Sequence, residues 1–170
     1  MDQIHKEGIS AQGDPGGYSS LKGVKCTLVP DRFFNEDEAA DLLSEVQFLE
    51  DDDQVSHVNI PEYGAELVYA GDGLPELYFI LKLLPSCPEY NKIVASHKDG
   101  YLHLAIAQGG SLQIANSYRA QDFTTALYFL FLAMKTLQLN PEVSTIVWRT
   151  ALTPEDEMTL YRYFKAVEQL

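Results

Sequence analysis

Two short, glycine-containing connections divide residues 91–118 into three segments, and this pattern limits the possible folds more than any other feature of the chain. The segments read "NKIVASH", "YLHLAIA" and "LQIANSY", and each is rich in residue types that β-strands favour. "KDG" joins the first two segments and "QGGS" joins the last two. Connections this short join antiparallel neighbours, because a parallel pair needs a much longer crossover. The sequence therefore predicts a three-stranded antiparallel sheet.

The residues after these strands predict a helix, a fourth strand and a second helix. The first helix is strongly apolar and is expected to run from about Asp122, its cap, to Leu139. "STIVWR" is the fourth strand, and Thr153 begins the second helix, which we predict to continue through Phe164 and Val167. The order strand, strand, strand, helix, strand, helix is the opening order of a ribonuclease-H-like unit, the building block of the actin-type ATPases. Such a pattern predicts a fold and leaves the function open.

Composition and pattern divide the chain into three parts. Residues 1–22 are rich in Gly, Ser and Asp without a hydrophobic period, which predicts a disordered leader. Residues 23–90 give the signals strand, helix, strand, strand, helix, and predict a smaller αβ subdomain. Residues 91–170 form the ribonuclease-H-like subdomain. The predicted fold class is therefore α/β (α+β), with an actin-like or ribonuclease-H-like unit after a smaller αβ unit.

The formal net charge of −13 comes from one block of the sequence. Residues 33–81 contain 13 acidic residues and neither Lys nor Arg, so the other 12 acidic residues balance the 12 basic ones. A surface of this sign repels phosphate backbones, which excludes nucleic acid as a partner of this part of the chain. A basic protein surface is the partner that it favours. The alternative is a solvated acidic surface that serves only solubility.

Two acidic runs within this block are the candidate contact residues for such a partner. They are Glu36, Asp37 and Glu38, and Glu50, Asp51, Asp52 and Asp53. The second run does not match a calcium-binding loop, because Val55 occupies the next ligand position and no glycine stands at the turn. We therefore predict no metal site here.

Other classes of protein are excluded by what the sequence lacks. The longest apolar run, from Ala126 to Met134, is too short to cross a bilayer, and the N-terminus does not have the pattern of a secretory signal. Cys26 and Cys87 occur in no paired motif, which is typical of a protein in a reducing compartment. We expect a cytoplasmic protein without a membrane partner.

Four segments carry a resemblance to a known family. "TLVPDRFFNEDEAADLL", "ELVYAGDGLPELYFILKLLP", "DGYLHLAIAQGGSLQIANSY" and "ALYFLFLAMKTLQLNPE" resemble a Bacteroidetes family, domain of unknown function 3822. The resemblance extends from about Val24 onward and implies an actin-like ATPase fold. The family has no established activity to carry over. Its members are longer, so we expect this chain to lack the first ribonuclease-H-like half and a last strand after Leu170, as a shortened relative or a partial gene product.

The actin-like fold gives the turn at Lys98, Asp99 and Gly100 a possible role. In actin-type ATPases, each half binds nucleotide phosphates with the turn between its first two strands, usually Asp-x-Gly followed by a hydroxyl residue. Here Asp99 and Gly100 are adjacent, and Tyr101 supplies the following hydroxyl in place of Ser or Thr. An Asp-Gly pair is also an ordinary turn former, so we predict a plain turn and no cofactor, with Mg-ATP binding as the alternative.

Three functional hypotheses follow from these observations. We favour a non-catalytic protein-interaction or assembly module, without catalytic residues, whose acidic part binds a basic protein partner. The second hypothesis is a weak or partner-completed Mg-ATP-binding protein or ATPase that uses Asp99. The third is a partial relic of a longer family member.

Overall fold

The computed structural model of the protein describes residues 25–170, and the predicted leader at residues 1–22 lies outside this range. Eight strands lie in the described range, in two sheets. The strands are β1 (Cys26–Pro30), β2 (Val55–Ile60), β3 (Ala65–Ala70), β4 (Asn91–Lys98), β5 (Tyr101–Gln108), β6 (Ser111–Arg119), β7 (Thr145–Trp148) and β8 (Ala166–Gln169). The α-helices are α1 (Ala39–Ser44), α2 (Glu76–Leu83), α3 (Phe123–Thr136) and α4 (Pro154–Tyr163).

The larger sheet has five strands in the order β6-β5-β4-β7-β8. Strands β4, β5 and β6 are antiparallel neighbours, and β7 and β8 continue the sheet in parallel from β4. The three predicted strands of residues 91–118 are therefore present in the predicted arrangement. Helix α3 provides the crossover from β6 to β7, and α4 the crossover from β7 to β8.

The last strand of this sheet corrects the predicted order of elements. Helix α4 ends at Tyr163, Phe164 has an extended backbone, and Val167 pairs with Ile146 of β7. Phe164 and Val167 are three residues apart, a spacing that suits one face of a helix. Both are buried in the same cluster, but Phe164 follows the end of α4 and Val167 lies in β8. The order of elements is thus strand, strand, strand, helix, strand, helix, strand. The last strand, which we expected after Leu170, precedes it.

The smaller sheet has three strands in the order β1-β3-β2, all antiparallel. Because side chains alternate across a strand, β3 contributes to two buried clusters. Leu67 faces the cluster that contains α2, whereas Val68 faces the cluster that contains Leu43 of α1. The sheet is therefore covered by α2 on one face and by α1 on the other.

Helix α2 belongs to the cores of both sheets. Leu77, Ile80 and Leu81 recur at helical spacing, are buried, and belong to one cluster with Leu67 of β3 and Ala105 of β5. Burying one such side chain stabilises the fold by roughly 1.5–3 kcal/mol. Helix α2 therefore packs against both of the predicted subdomains. The boundary that the sequence predicts between them, at residues 90 and 91, stays a prediction.

An ion pair fixes the N-terminal end of α2 against the larger sheet. Arg149 follows β7, and its guanidinium group contacts both carboxylate oxygens of Glu76, the more distant one at 2.6 Å. The side chain of Glu76 is buried, and the same guanidinium group lies 4.7 Å from the centre of the Phe79 ring. A buried carboxylate without a partner is costly, so this pair favours one position of α2 relative to β7.

Helices α3 and α4 cover the opposite face of the larger sheet. Leu130 of α3 and Leu160 of α4 are buried in one cluster with Leu104 of β5 and Trp148 of β7. Asp122 caps α3, as predicted, by accepting a hydrogen bond from the backbone of Thr125. Among residues 25–170, no helix combines the length and hydrophobicity that crossing a lipid bilayer requires.

Leu81→Ala tests whether α2 joins the two sheets. We expect the variant to lose about 2–5 kcal/mol of unfolding free energy, because the side chain is fully buried between the sheets. Urea unfolding followed by far-UV and near-UV circular dichroism measures this loss. Both signals should show one common transition. As a control, Lys82→Ala removes only the partly exposed ion pair with Glu62 and should cost under about 1 kcal/mol. Two separated transitions would contradict the shared core.

Candidate functional site

The turn at Lys98–Gly100 is a two-residue hairpin connection between β4 and β5. Lys98 pairs with Tyr101, and the two residues between them have positive φ angles, 52° at Asp99 and 77° at Gly100. Positive φ at both central positions defines a type I′ turn, for which Asp-Gly is a preferred sequence. A Cβ atom on Gly100 would also lie 3.1 Å from Oε1 of Gln121. The hairpin geometry and this close approach account for the Asp-Gly pair.

The surroundings of this turn are already satisfied by protein groups. The backbone N–H of Ala120 donates to the carbonyl of Gly100 at 2.8 Å, and Nε2 of His97 donates to the carbonyl of Ala120 at 2.7 Å. At the start of α3, the backbone N–H of Thr125 donates to Asp122, and this hydrogen bond lowers the pKa of that carboxyl group. Asp99 in the turn and Asp122 at the start of α3 are both acidic, and acidic side chains disfavour a phosphate group without a bound cation. Nucleotide binding at this turn stays a prediction.

A serine and a histidine share a hydrogen bond in the middle of the larger sheet. Nδ1 of His103 lies 2.7 Å from Oγ of Ser117. Both residues are at most 2% exposed, and burial lowers the pKa of His103 to about 3, so the imidazole is neutral at physiological pH. The pair lacks the access to solvent that a nucleophilic site requires, and we assign it to the core.

The predicted acidic residues fall into exposed and buried groups. Glu36, Asp37 and Glu38 form an exposed single turn before α1, where the side chain of Asn35 accepts a hydrogen bond from the backbone of Asp37. Asp51 is also exposed in the loop before β2. We use the name acidic face for the exposed residues Glu36, Asp37, Glu38, Asp51 and Asp52.

Asp53 lies outside the acidic face, although the sequence pattern groups it with its neighbours. Its carboxylate is 1% exposed and lies 2.7 Å from Nζ of Lys25, which is 3% exposed. The same carboxylate oxygen accepts a hydrogen bond from the backbone of Glu50. Carboxylate oxygens of Glu50, Asp52 and Asp53 lie within 4.8 Å of one another. Lys25 already neutralises Asp53, so this spacing carries no metal assignment.

A histidine of β2 links the acidic face to the smaller sheet, and the sequence analysis missed it. Nδ1 of His57 donates to Glu66 of β3 at 2.6 Å, and Nε2 lies 3.4 Å from a carboxylate oxygen of Glu36. The side-chain amide of Asn59 donates to the other oxygen of Glu66 at 2.9 Å and to Asp31 at 3.2 Å. The pKa of His57 is raised, first by the hydrogen bond with Glu66 and also by Glu36. The contact with His57 places Glu36 beside β2, and protonation of the histidine strengthens it.

The raised pKa of His57 predicts how stability depends on pH. The folded state binds the proton more tightly than the unfolded state, whose histidine has a pKa near 6.5. The stabilising contribution is thus fully present below about pH 6.5 and is lost as the pH rises through the folded pKa. We expect His57→Gln to be less stable than the wild type at pH 6 by up to about 1 kcal/mol, and by less at pH 8.5. Urea unfolding at both pH values measures this difference, and an equal difference at both would contradict the assignment.

The arrangement of strands defines the class of protein. An antiparallel three-stranded unit that continues through two helical crossovers into two parallel strands is the ribonuclease-H-like unit of the actin-like ATPase fold. One solved structure, a protein from Bacteroides thetaiotaomicron VPI-5482 with "actin-like ATPase fold and unknown function", matches with a TM-score of 0.68 and 16% identity. The match covers 86% of this chain and 65% of that protein. The predicted fold class is confirmed.

The particular family follows from the sequence. The model of the family "Protein of unknown function (DUF3822)" matches residues 77–167, and the chain belongs to this family. The match runs from α2 to β8, so it covers the larger sheet and the helix shared with the smaller one. A search of curated proteins found no match.

Proposed function

We propose that this protein is a non-catalytic protein-interaction or assembly module whose acidic face binds a basic surface of a protein partner. The observation that carries the proposal is the segregation of charge. Residues 33–81 contain 13 acidic residues and neither Lys nor Arg. The acidic face comprises five of these residues, all exposed.

Most of the acidic residues that pair with other elements of the fold lie outside the acidic face. Five acidic residues of the block pair with cationic or ionisable side chains, and four of them lie outside the acidic face: Asp53 with Lys25, Glu62 with Lys82, Glu66 with His57, and Glu76 with Arg149. The residues of the acidic face are exposed and lie near β2, since Glu36 contacts His57 and Asp52 precedes the strand by three residues. Stability does not require this concentration of surface charge, because like charges repel.

An exposed aromatic ring next to the acidic face supports the same proposal. Phe33 is 61% exposed, although large apolar side chains are usually buried, and it precedes the exposed turn at Glu36 by only three residues. Aromatic anchors surrounded by polar and charged residues are typical of protein-binding surfaces. The guanidinium group of Arg32 lies 4.6 Å from the centre of the Phe33 ring, so the exposed remainder of the ring is the part left for an apolar residue of a basic partner.

The test replaces the exposed acidic run and compares it with a matched run elsewhere. The variant Glu36→Gln, Asp37→Asn, Glu38→Gln removes three charges from the acidic face. Glu155, Asp156 and Glu157 repeat the same residue order at the start of α4, so the corresponding triple variant is the control. With a labelled lysine-rich peptide at low ionic strength, we expect the first variant to bind roughly tenfold more weakly and the control to bind as the wild type does.

Fluorescence anisotropy across a series of salt concentrations measures these affinities. Binding through the acidic face should weaken as salt is added, because screening reduces the attraction between exposed charges. The absence of binding, binding that is insensitive to salt, or an equal loss in both triple variants would contradict the proposal.

A further inference from the structure

The outer edge of β2 offers backbone groups for a further strand. β2 lies at the edge of the smaller sheet, beside β3. The backbone N–H of Ala70 donates to the carbonyl of Lys25, which lies just before β1. Backbone N–H and carbonyl groups alternate in direction along a strand, so every second residue of β3 bonds toward β1 and the residues between them bond toward β2. In this register Ser56, Val58 and Ile60 bond to β3. The backbone groups of Val55, His57 and Asn59 therefore point away from the sheet.

Within residues 25–170, no backbone–backbone hydrogen bond reaches the outer side of β2. The hydrogen bonds outside the regular strands and helices include none to the N–H or carbonyl of Val55, His57 or Asn59. Ser56 and Asn59 are exposed, and the strand contains neither a proline nor a lysine, two residues that commonly protect exposed edges. A six-residue edge of this kind is a template for strand addition.

The side chains along the edge differ between its two faces. His57 and Asn59 lie on one face, where Glu36 is 3.4 Å from His57 and Asp31 is 3.2 Å from Asn59. On the other face, Val58 packs against the apolar cluster around α2 and is only partly buried. Residues directly opposite each other in an antiparallel pair point to the same face. An added strand would thus meet carboxylates on one face and an apolar surface on the other.

We infer that β2 binds an extended segment of a basic protein partner as an added antiparallel strand, with Lys or Arg alternating with apolar residues. The inference rests on the proposed function and specifies how the partner is recognised. The basic side chains lie opposite His57 and Asn59, where the three carboxylates of Glu36, Glu66 and Asp31 outnumber the single charge of a protonated His57, and the apolar ones lie opposite Val58. A second copy of this chain is a poorer occupant, because pairing β2 with itself would bring two acidic faces together.

The geometry predicts which backbone groups of the partner bind. In an antiparallel pair, the residues opposite His57 and Asn59 direct their own N–H and carbonyl groups toward β2. These are the basic residues of the added strand. Their backbone N–H groups are required for binding, whereas those of the apolar residues point away from the protein.

Peptides with methylated backbone nitrogens test this inference on the full, unaltered chain. The probes are a labelled peptide of alternating lysine and valine, the same peptide N-methylated at the lysines, and the same peptide N-methylated at the valines. We expect methylation at the lysines to weaken binding about tenfold or more, and methylation at the valines to change it by less than about threefold. Amide hydrogen exchange at His57 and Asn59 should slow when the unmodified peptide binds.

The outcomes separate this inference from the proposed function. If both methylated peptides bind as the unmodified one does, and binding still depends on salt and on Glu36–Glu38, strand addition is wrong and the acidic face alone carries the interaction. If no peptide binds, both proposals fail. If the free chain is a dimer that Asn59→Pro converts to a monomer while Asn59→Ala does not, β2 pairs with a second copy and the inference is overturned.

Discussion

The burial of α2 between two sheets is the constraint on which the rest of the structure depends. A short helix with apolar residues at Leu77, Ile80 and Leu81 exposes a surface that one sheet alone would leave partly in water. Because β3 and β5 contribute to the same cluster, the smaller sheet is held against the larger one through this helix. Hydrophobic burial alone does not fix the orientation of α2, because it is non-directional. The ion pair between Glu76 and Arg149 favours one orientation of the helix relative to the larger sheet.

This constraint also determines which surfaces of the smaller sheet stay available. One face is covered by α2 and the other by α1, which leaves the outer edge of β2 and the turns beside it as an accessible part of the sheet. Of the acidic face, Glu36 contacts His57 of β2, and Asp51 and Asp52 lie in the loop that leads into this strand. The charge segregation of the sequence and the open edge of the sheet thus occur at the same place, which is the physical basis of the proposed interaction.

Much of the fold was predictable because its signals are local. The three strands of residues 91–118 follow from alternating residue patterns and short turns, and the cap at Asp122 follows from residue type and position. The fifth strand of the larger sheet was missed, because the spacing of Phe164 and Val167 suits a helix until the pairing of Val167 with Ile146 is known. Such pairing depends on contacts that are distant in sequence.

The candidate site was predictable only in part, for the same reason. The pattern identified the exposed run at Glu36–Glu38, whereas the burial of Asp53 depends on Lys25, which lies 28 residues away. The contact between His57 and Glu66 depends on the register of β2 with β3. One sequence signal was available: His57 and Asn59 are two residues apart in β2, so they share a face, and Glu66 in the next strand can contact both.

The most direct test of the account is a two-dimensional amide NMR spectrum of the full chain, recorded alone, with the lysine-rich peptide, and with MgATP. The account predicts that the peptide shifts the signals of Glu36–Glu38, of Asp51 and Asp52, and of β2, and that MgATP leaves the signals of Lys98–Tyr101 in place. Shifts at Lys98–Tyr101 with MgATP, together with no response of the acidic face to the peptide, would contradict it and assign the activity to the hairpin turn.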